Sequence, residues 1–367
     1  MDKKPSVALI IPPSAFLADE RVFVSLGILK VAAVLEAAGH PVSLLDLSGV
    51  DNYLDVVQTF LTSLETTGTR MVGLTCTTAQ MPTVQEIVRL LRRQNPDMRI
   101  ILGGPHVTTT LAAVKKERTR RVSGRAVRAW AHLTDLADVL VAGDGEEAIF
   151  VAIQPDTPAF IDADDPESPF FLQAGALGNY PFPARHLVDI QSYKYRVSGQ
   201  PACSIIAQLG CPMRCSFCSG RSSPSFRRMR VRDSDNVAQE VKHLYQRYGF
   251  IGYHWYDDEL NINPKMPQDM RRIIELQEEL GVEFRMRGFI KAELFTELQA
   301  RVLFQAGFRQ ICVGFESGSE RILQNIQKNA TREQNSRCVQ IAHDSGLTVK
   351  AFMSIGHAGE SRETLDA

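Results

Sequence analysis

The sequence predicts an α/β protein in two parts, a doubly wound parallel sheet followed by a partial (β/α) barrel. Three observations carry that expectation. Short apolar runs alternate with one-faced helical stretches over residues 6–148; a segment rich in Pro and Asp, without helical periodicity, fills 149–200; and from residue 201 the alternation resumes with a longer rhythm. At 367 residues, 44% of them hydrophobic, the chain is long enough for about two domains, each with its own core.

In the first part the predicted strands are Ser6–Ile11, Val42–Leu47, Met71–Cys76, Arg99–Gly103 and Asp138–Ala142, each flanked by Gly, Pro or polar residues. Between them Val24, Ile28, Val31 and Leu35, then Val84, Ile87, Val88 and Leu91, recur at helical spacing on single faces. Gly39 stops the first helix and Pro41 opens the next strand. Strands apolar throughout and alternating with helices are those of a parallel sheet covered on both sides, whose ligands sit beyond the carboxyl ends of the strands. IQPDTPAFIDADDPESPFF opens the 149–200 segment, which is expected to be a linker.

In the second part strands are expected to begin near Ser204, Ile251, Glu283, Ile311 and Thr348, with helices between, one of them carrying Val237, Val241, Leu244, Tyr245 and Tyr248. Consecutive βα units of this kind suit a full or partial barrel, with chemistry at the carboxyl ends of the strands. The chain ends at Ala367, early in what reads as the helix after the fifth strand, so the barrel is expected to be truncated there.

Composition narrows the setting. Lys and Arg number 41 against 42 Asp and Glu, and this balance gives no reason to expect a nucleic-acid or acidic-membrane partner. The opening run MDKKPSVALIIPPSAF has the length of a buried strand and lacks a small-residue cleavage site, and no apolar segment reaches the roughly 18 residues that span a bilayer. A soluble, cytoplasmic protein is expected. Seven cysteines, three clustered and the rest scattered, point to a metal site in a reducing compartment and not to a disulfide framework.

The clustered three are Cys211, Cys215 and Cys218 in GCPMRCSFCSG, a CxxxCxxC spacing. A structural zinc site needs four ligands, usually as two CxxC-like pairs, and here one loop supplies all the nearby thiolates. An iron-sulfur cube held by three thiolates, with one iron open to a further ligand, is the better match. The alternatives are three unrelated loop cysteines or a zinc ion borrowing a distant ligand.

With its aromatic Phe217 just before the third cysteine, this loop resembles that of the radical S-adenosylmethionine (SAM) enzymes. The resemblance implies a [4Fe-4S] cluster on Cys211, Cys215 and Cys218 whose open iron is chelated by SAM, and an external one-electron reductant of flavodoxin or ferredoxin type. SAM cleavage would yield a 5′-deoxyadenosyl radical that abstracts a substrate hydrogen, a chemistry that belongs to the cofactor. YHWYDDEL then matches the family's second-strand end, placing Asp257, Asp258 and Glu259 near the methionine ammonium, although an acidic turn before a helix is the plainer alternative. GFESGS resembles the ribose-contacting segment, with Glu316 and Ser317 as hydrogen-bonding candidates, and KAFMSIGHAGESRET resembles the fifth-strand segment near adenine. RRMRVR, 227–232, reads either as an anion-holding patch or as a solvated face.

The first part resembles the cobalamin-binding domain, Rossmann-like and flavodoxin-like, that precedes the radical domain in one large subclass. The matching stretches are LEAAGHPVSLLDL, GLTCTTAQ, ILGGPHVT and AGDGEEAI, followed by YPFPARHLVD. The implied domains are residues 1–148 for cobalamin and 201–367 for the radical chemistry. The implied cobalamin contacts are Thr75, Thr77, Thr78, Gly103, Gly104, His106, Gly143, Gly145 and Glu146, with the glycines letting backbone approach a large flat ligand. Tight turns are the simpler use of those glycines. The loop after the first strand, PPSAFLADERVF, has no His where many cobalamin domains carry DxHxxG, so no His is expected to reach cobalt from below.

The resemblance implies methylation of an unactivated carbon of a small-molecule substrate. A cobalamin-dependent cyclisation, oxidation or rearrangement is the alternative. A tRNA methylthiotransferase would need further cysteines in the first part, which has only Cys76 there, and a cofactor sensor would need no SAM site.

Overall fold

The computed structural model describes residues 4–17 and 19–367, and the chain divides into two compact units. Unit 1 comprises residues 1–173, 179–193 and 222–225, and unit 2 comprises residues 174–178, 194–221 and 226–367.

Unit 1 is built on six parallel strands, β1 Val7–Ile11, β2 Val42–Asp46, β3 Met71–Thr75, β4 Arg99–Gly103, β5 Val139–Gly143 and β6 Phe160–Ala163, in the order β2-β1-β3-β4-β5-β6. The order reverses between β1 and β3, which opens a crevice at their carboxyl ends. β1 is buried over its whole length, and residues from its alternate positions enter separate apolar cores on the two faces of the sheet, Ala8 and Ile10 on one, Val7, Leu9 and Ile11 on the other. That is why the strand reads as one uninterrupted apolar run. The first expected stripe is kept in part, since Val24 precedes its helix, Leu26–Ala37, which buries Ile28 and Leu35 and leaves Val31 half-buried, and the second is kept whole. In Met81–Gln94 the residues Val84, Ile87, Val88 and Leu91 are all buried, and Leu26–Ala37 ends where the N–H groups of Gly39 and His40 reach back to Glu36 and Leu35. β6 lies inside the stretch expected as a linker. Its Phe160 pairs with Leu140 and its Ile161 with Val141, so the sheet extends beyond residue 148.

Unit 2 opens with β7 Arg196–Val197, antiparallel to β8 Gln200–Ile205. A short hairpin of β9 Gln208–Leu209 and β10 Arg230–Val231 follows, then β11 Gly252–Trp255, β12 Arg285–Phe289, β13 Phe308–Glu316 and β14 Thr348–Met353. β8, β11, β12, β13 and β14 run parallel in sequence order, each beside the next, as in a half-barrel. Tyr253 and Trp255 point to the helix layer, where the Tyr253 hydroxyl donates to the carbonyls of Val241 and Phe250, 3.1 and 2.7 Å away. The alternate residues of each strand therefore face the concave side. In the basic run 227–232 Arg230 and Arg232 are buried, while Arg227 is half-buried and Arg228 exposed, so the later half of the run is neither a solvated face nor an open anion patch. Arg232 pairs with buried Glu240 and donates to the Ile206 carbonyl at 2.7 Å.

Candidate active site

Gly210 starts the three-cysteine loop directly after β9. Its φ of +88° and the 2.0 Å that would separate a Cβ from the Arg228 carbonyl oxygen admit only glycine. The loop is then tied down by its own backbone. Cys211 N–H donates to the Phe226 carbonyl at 2.9 Å, Ser216 N–H to the Ile326 carbonyl at 2.7 Å, and Cys218 N–H to the Cys215 carbonyl at 3.2 Å. Cys215 is buried, Cys211 half-buried and Cys218 exposed. Burial pushes the Cys211 thiol up to about 11 and raises that of Cys215, while the ammonium groups of Lys291 and Lys328 act on Cys215 in the opposite sense. Among the described residues no group of three His, Cys, Asp or Glu gathers as it would around a single ion. A cube asks something different of its thiolates, since each binds a separate iron.

The acidic triplet after β11 splits into different tasks. One oxygen of buried Asp257 accepts the N–H groups of Ala207 and Gln208 at 2.8 and 3.1 Å, and its other oxygen has no partner. Burial pushes this carboxyl up to about 7 against the pull of those N–H groups. Asp258 accepts the N–H of Gly210 at 2.6 Å. Two of the three acids thus hold the backbone leading into Cys211. Glu259 keeps one buried oxygen without a partner, and burial pushes it up to about 7 although Lys291 and Lys328 oppose the shift.

Those two lysines had no place in the sequence reading. Lys291, 2% exposed, follows the end of β12, pairs with Glu293 at 2.9 Å and exchanges hydrogen bonds with Asn261 through its own backbone. Lys328, 5% exposed, lies 3.6 Å from Glu316. Glu316 sits at a register shift ending β13 with φ +65°, a left-handed conformation costly for a side chain. Its second oxygen accepts the Ser354 hydroxyl at 2.8 Å, and a Cβ on Gly314 would come within 2.5 Å of its first. Ser354 in turn meets His357 Nε2 at 2.7 Å, and the His357 ring lies 5.7 Å from that of Phe217. Ser317 is buried, its hydroxyl accepting the N–H of Ser319 at 3.2 Å. The structure therefore brings Phe217, Glu316 and the cysteine loop to the same strand ends. The sequence signals for Lys291 and Ser354 were only their positions just past strands, which are weak when read singly.

In unit 1 the named residues line the carboxyl ends of β3, β4 and β5. Thr75 ends β3, Gly103 ends β4 and Gly143 ends β5. Gly104, at φ +99°, would put a Cβ 2.7 Å from Thr75 Oγ1 and 2.8 Å from Cys76 N, and Gly143, at φ +92°, would put one 2.3 Å from the Ala163 carbonyl carbon. His106 N–H donates to the Cys76 carbonyl at 3.0 Å and its ring meets Thr78 Oγ1 at 2.9 Å, and burial lowers its basicity. Thr77 closes a capping box with Gln80, Gly145 would place a Cβ 2.8 Å from Val31, and Glu146 is buried in the first turn of Gly145–Ala152. In the loop after β1, Glu20 accepts the N–H groups of Ser14 and Gly49, and Arg21 pairs with Asp46 at 3.2 Å.

Residues 205–367 match the radical SAM superfamily model and residues 20–133 the B12 binding domain model. Residues 205–367 thus carry the domain of the radical SAM superfamily and residues 20–133 a B12 binding domain. Its cofactors are accordingly a [4Fe-4S] cluster, SAM and cobalamin, and the donor sets fit them. Three thiols share one loop beside two buried lysines and an unpartnered carboxylate oxygen, and two positive-φ glycines keep the strand ends of unit 1 bare. Among curated proteins, an uncharacterised methyltransferase of Pyrococcus horikoshii is 27% identical over 81% of this chain and 62% of its own length. An anaerobic magnesium-protoporphyrin IX monomethyl ester cyclase of Rubrivivax gelatinosus is 24% identical over 92% and 59%, and a cytidylyl-2-hydroxyethylphosphonate methyltransferase of Streptomyces wedmorensis 26% identical over 98% and 75%. The chain thus spans about three fifths of the first two. The radical SAM methyltransferase TsrM of Kitasatospora setae, solved with cobalamin and a [4Fe-4S] cluster, shares the fold, with a TM-score of 0.73 and 19% identity over 98% of this chain and 71% of that one. No helix among the described residues is long and apolar enough to cross a membrane.

Proposed function

We propose that this chain methylates an unactivated carbon of a small molecule. The carrying observation is the braced loop of Cys211, Cys215 and Cys218 facing Lys291, Lys328 and the open oxygen of Glu259. When bound, the cluster and SAM supply a 5′-deoxyadenosyl radical and cobalamin carries the methyl group. The three cysteines hold the cluster, and Lys291 favours the thiolate forms of Cys211 and Cys215, with Lys328 acting in the same sense on Cys215. Glu259 accepts the methionine amine, while Asp257 and Asp258 serve that contact through the loop they hold. Glu316 and Ser317 position the ribose, and Phe217, its ring 5.7 Å from that of His357, contacts SAM. In unit 1, Gly103, Gly104, Gly143 and Gly145 let the backbone approach the corrin or its tail, with Thr75, Thr77, Thr78, His106 and Glu146 around them. An electron comes from a flavodoxin- or ferredoxin-type donor, the setting is cytoplasmic, and no nucleic acid takes part.

The likeness to the cyclase, spread over 92% of the chain, favours a second reading, cobalamin-dependent cyclisation without methyl transfer. The test is anaerobic purification with iron, sulfide and hydroxocobalamin supplied, followed by metal and corrin quantification and EPR with and without SAM. About four irons and one cobalt per chain, with a reduced-cluster signal that moves on adding SAM, are expected. A cluster without corrin removes the methyl-carrier role. Product mass, with or without one added methyl group, decides between the two readings.

A further inference from the structure

On the concave face of the half-barrel two cations, Arg287 and Lys350, have no ion pair with an acid among the described residues. Phe289 of β12 packs against Phe352 of β14, ring centroids 5.4 Å apart, and against His254 of β11 at 6.0 Å, and His254 meets Tyr195 and Tyr256 edge-on, each at 5.3 Å. Among these rings stand Arg287 of β12 and Lys350 of β14. The Arg287 guanidinium lies 5.0 Å from the Tyr195 ring and donates to Gln310 Oε1 at 3.1 Å, while its Nε is buried without an acceptor. Lys350 is exposed, with its ammonium 5.3 Å from the Phe352 ring. Neither pairs with a carboxylate, whereas Arg285 on the same face is matched by Glu283 at 2.9 Å. Both cations act on buried Cys312, and Lys350 also acts on His254, so their charges converge on one part of the face. An arginine fork with an unused donor, held by an amide and flanked by rings, is suited to a planar oxyanion joined to an apolar body.

We propose that Arg287 and Lys350 bind the oxyanion, a carboxylate or phosphate, of a ligand whose flat apolar part lies against Phe289, Phe352 and Tyr256. The inference rests on the proposed reading that a small molecule is the substrate, and it adds that the half-barrel holds it and what its chemical class is. Arg287 precedes Lys291 by four residues, which sets the oxyanion on the order of 10 Å below the cluster end of the strand and leaves room for a reacting carbon between them.

The test is calorimetric titration of the full cofactor-loaded chain with 1-naphthyl phosphate, 1-naphthoate, 1-naphthalenemethanol and inorganic phosphate. At least one naphthyl oxyanion should bind about tenfold or more tighter than the alcohol, with affinity falling as salt rises. The preferred oxyanion distinguishes phosphate from carboxylate. Arg287→Gln should lose about tenfold in affinity, Arg287→Lys less, and Lys350→Gln a few-fold. Should Arg287→Gln not fold, the exposed Lys350→Gln variant and the salt dependence carry the test. Equal binding of alcohol and oxyanions, no binding of either oxyanion, or oxyanion binding that neither substitution weakens overturns the proposal. These readouts need no turnover, so an absent methyl product would sink the functional reading and leave this one standing.

Discussion

Gly210→Ala separates backbone strain from steric overlap at the cluster loop, because the same unit offers a matched control. A non-glycine residue held at positive φ costs about 1–2 kcal/mol. Gly199, in the turn between β7 and β8, has φ +79° with nothing within 4 Å of an added Cβ, so Gly199→Ala should lose about that and no more. Gly210 has a similar φ, but its Cβ would lie 2.0 Å from the Arg228 carbonyl oxygen and 2.6 Å from the carbonyl carbon. These are backbone atoms two residues before β10, which pairs with β9, so relief must pull the hairpin apart or push out Cys211. A total on the order of 3 kcal/mol or more is expected, lost locally at the loop. The assay is thermal unfolding of both variants, with iron and sulfide counted after reconstitution. Gly210→Ala should hold less than half the iron of wild type, and Gly199→Ala should match it. Equal iron and equal melting temperatures in the two variants would refute the steric account.

Asp257→Asn removes a buried charge. Its folded carboxyl sits near 7 against an unfolded value near 4, so the folded state holds the extra proton and wild type loses stability as pH rises from about 4 to about 7, by at most on the order of 4 kcal/mol. The variant should show a shallower fall over that window in urea titrations; an unchanged profile would mean the charge is relieved in some other way. Lys291→Met leaves Glu293 buried without its cation and should cost about 3–5 kcal/mol, most of it regained in Lys291→Met/Glu293→Leu, which chemical denaturation measures. Gly104→Ala should lower hydroxocobalamin uptake, read from corrin absorbance, without changing iron content; full uptake would show that the bare turn is not needed.

Strand positions were readable because both kinds of strand here announce themselves. β1, β3 and β4 are apolar on both faces, and β11 to β14 come at one-helix intervals. β6 was missed because FIDA is short and sits among Pro and Asp, and what makes it a strand is its pairing with β5. Of the site, the cysteines were legible because their spacing is local. Lys291, Lys328, Ser354 and His357 were not, since each is an ordinary residue in sequence and becomes part of the site when β12, β13 and β14 end side by side. Arg230 and Arg232 show the opposite failure. Their run looked like surface or ligand chemistry, and only the buried Glu240 opposite Arg232 makes it structural.

The division within Asp257, Asp258 and Glu259 follows from where β11 lets go of the sheet. Trp255 is the last residue of that strand, and the Tyr256 N–H still donates to the Ile205 carbonyl at 2.8 Å, so Asp257 emerges against the end of β8. The nearest donors without strand partners are the N–H groups of Ala207 and Gln208, and one carboxylate oxygen takes both. Asp258 then reaches the next free N–H, that of Gly210, which the positive φ turns outward. By Glu259 the backbone donors ahead of Cys211 are spent, and the lysines after β12 and in the 320–329 segment set its surroundings instead. A substitution at Asp257 or Asp258 should therefore disturb the cluster through the loop, lowering iron content. A substitution at Glu259 should leave iron in place and weaken what binds to it, a contrast that metal counting and SAM titration read separately.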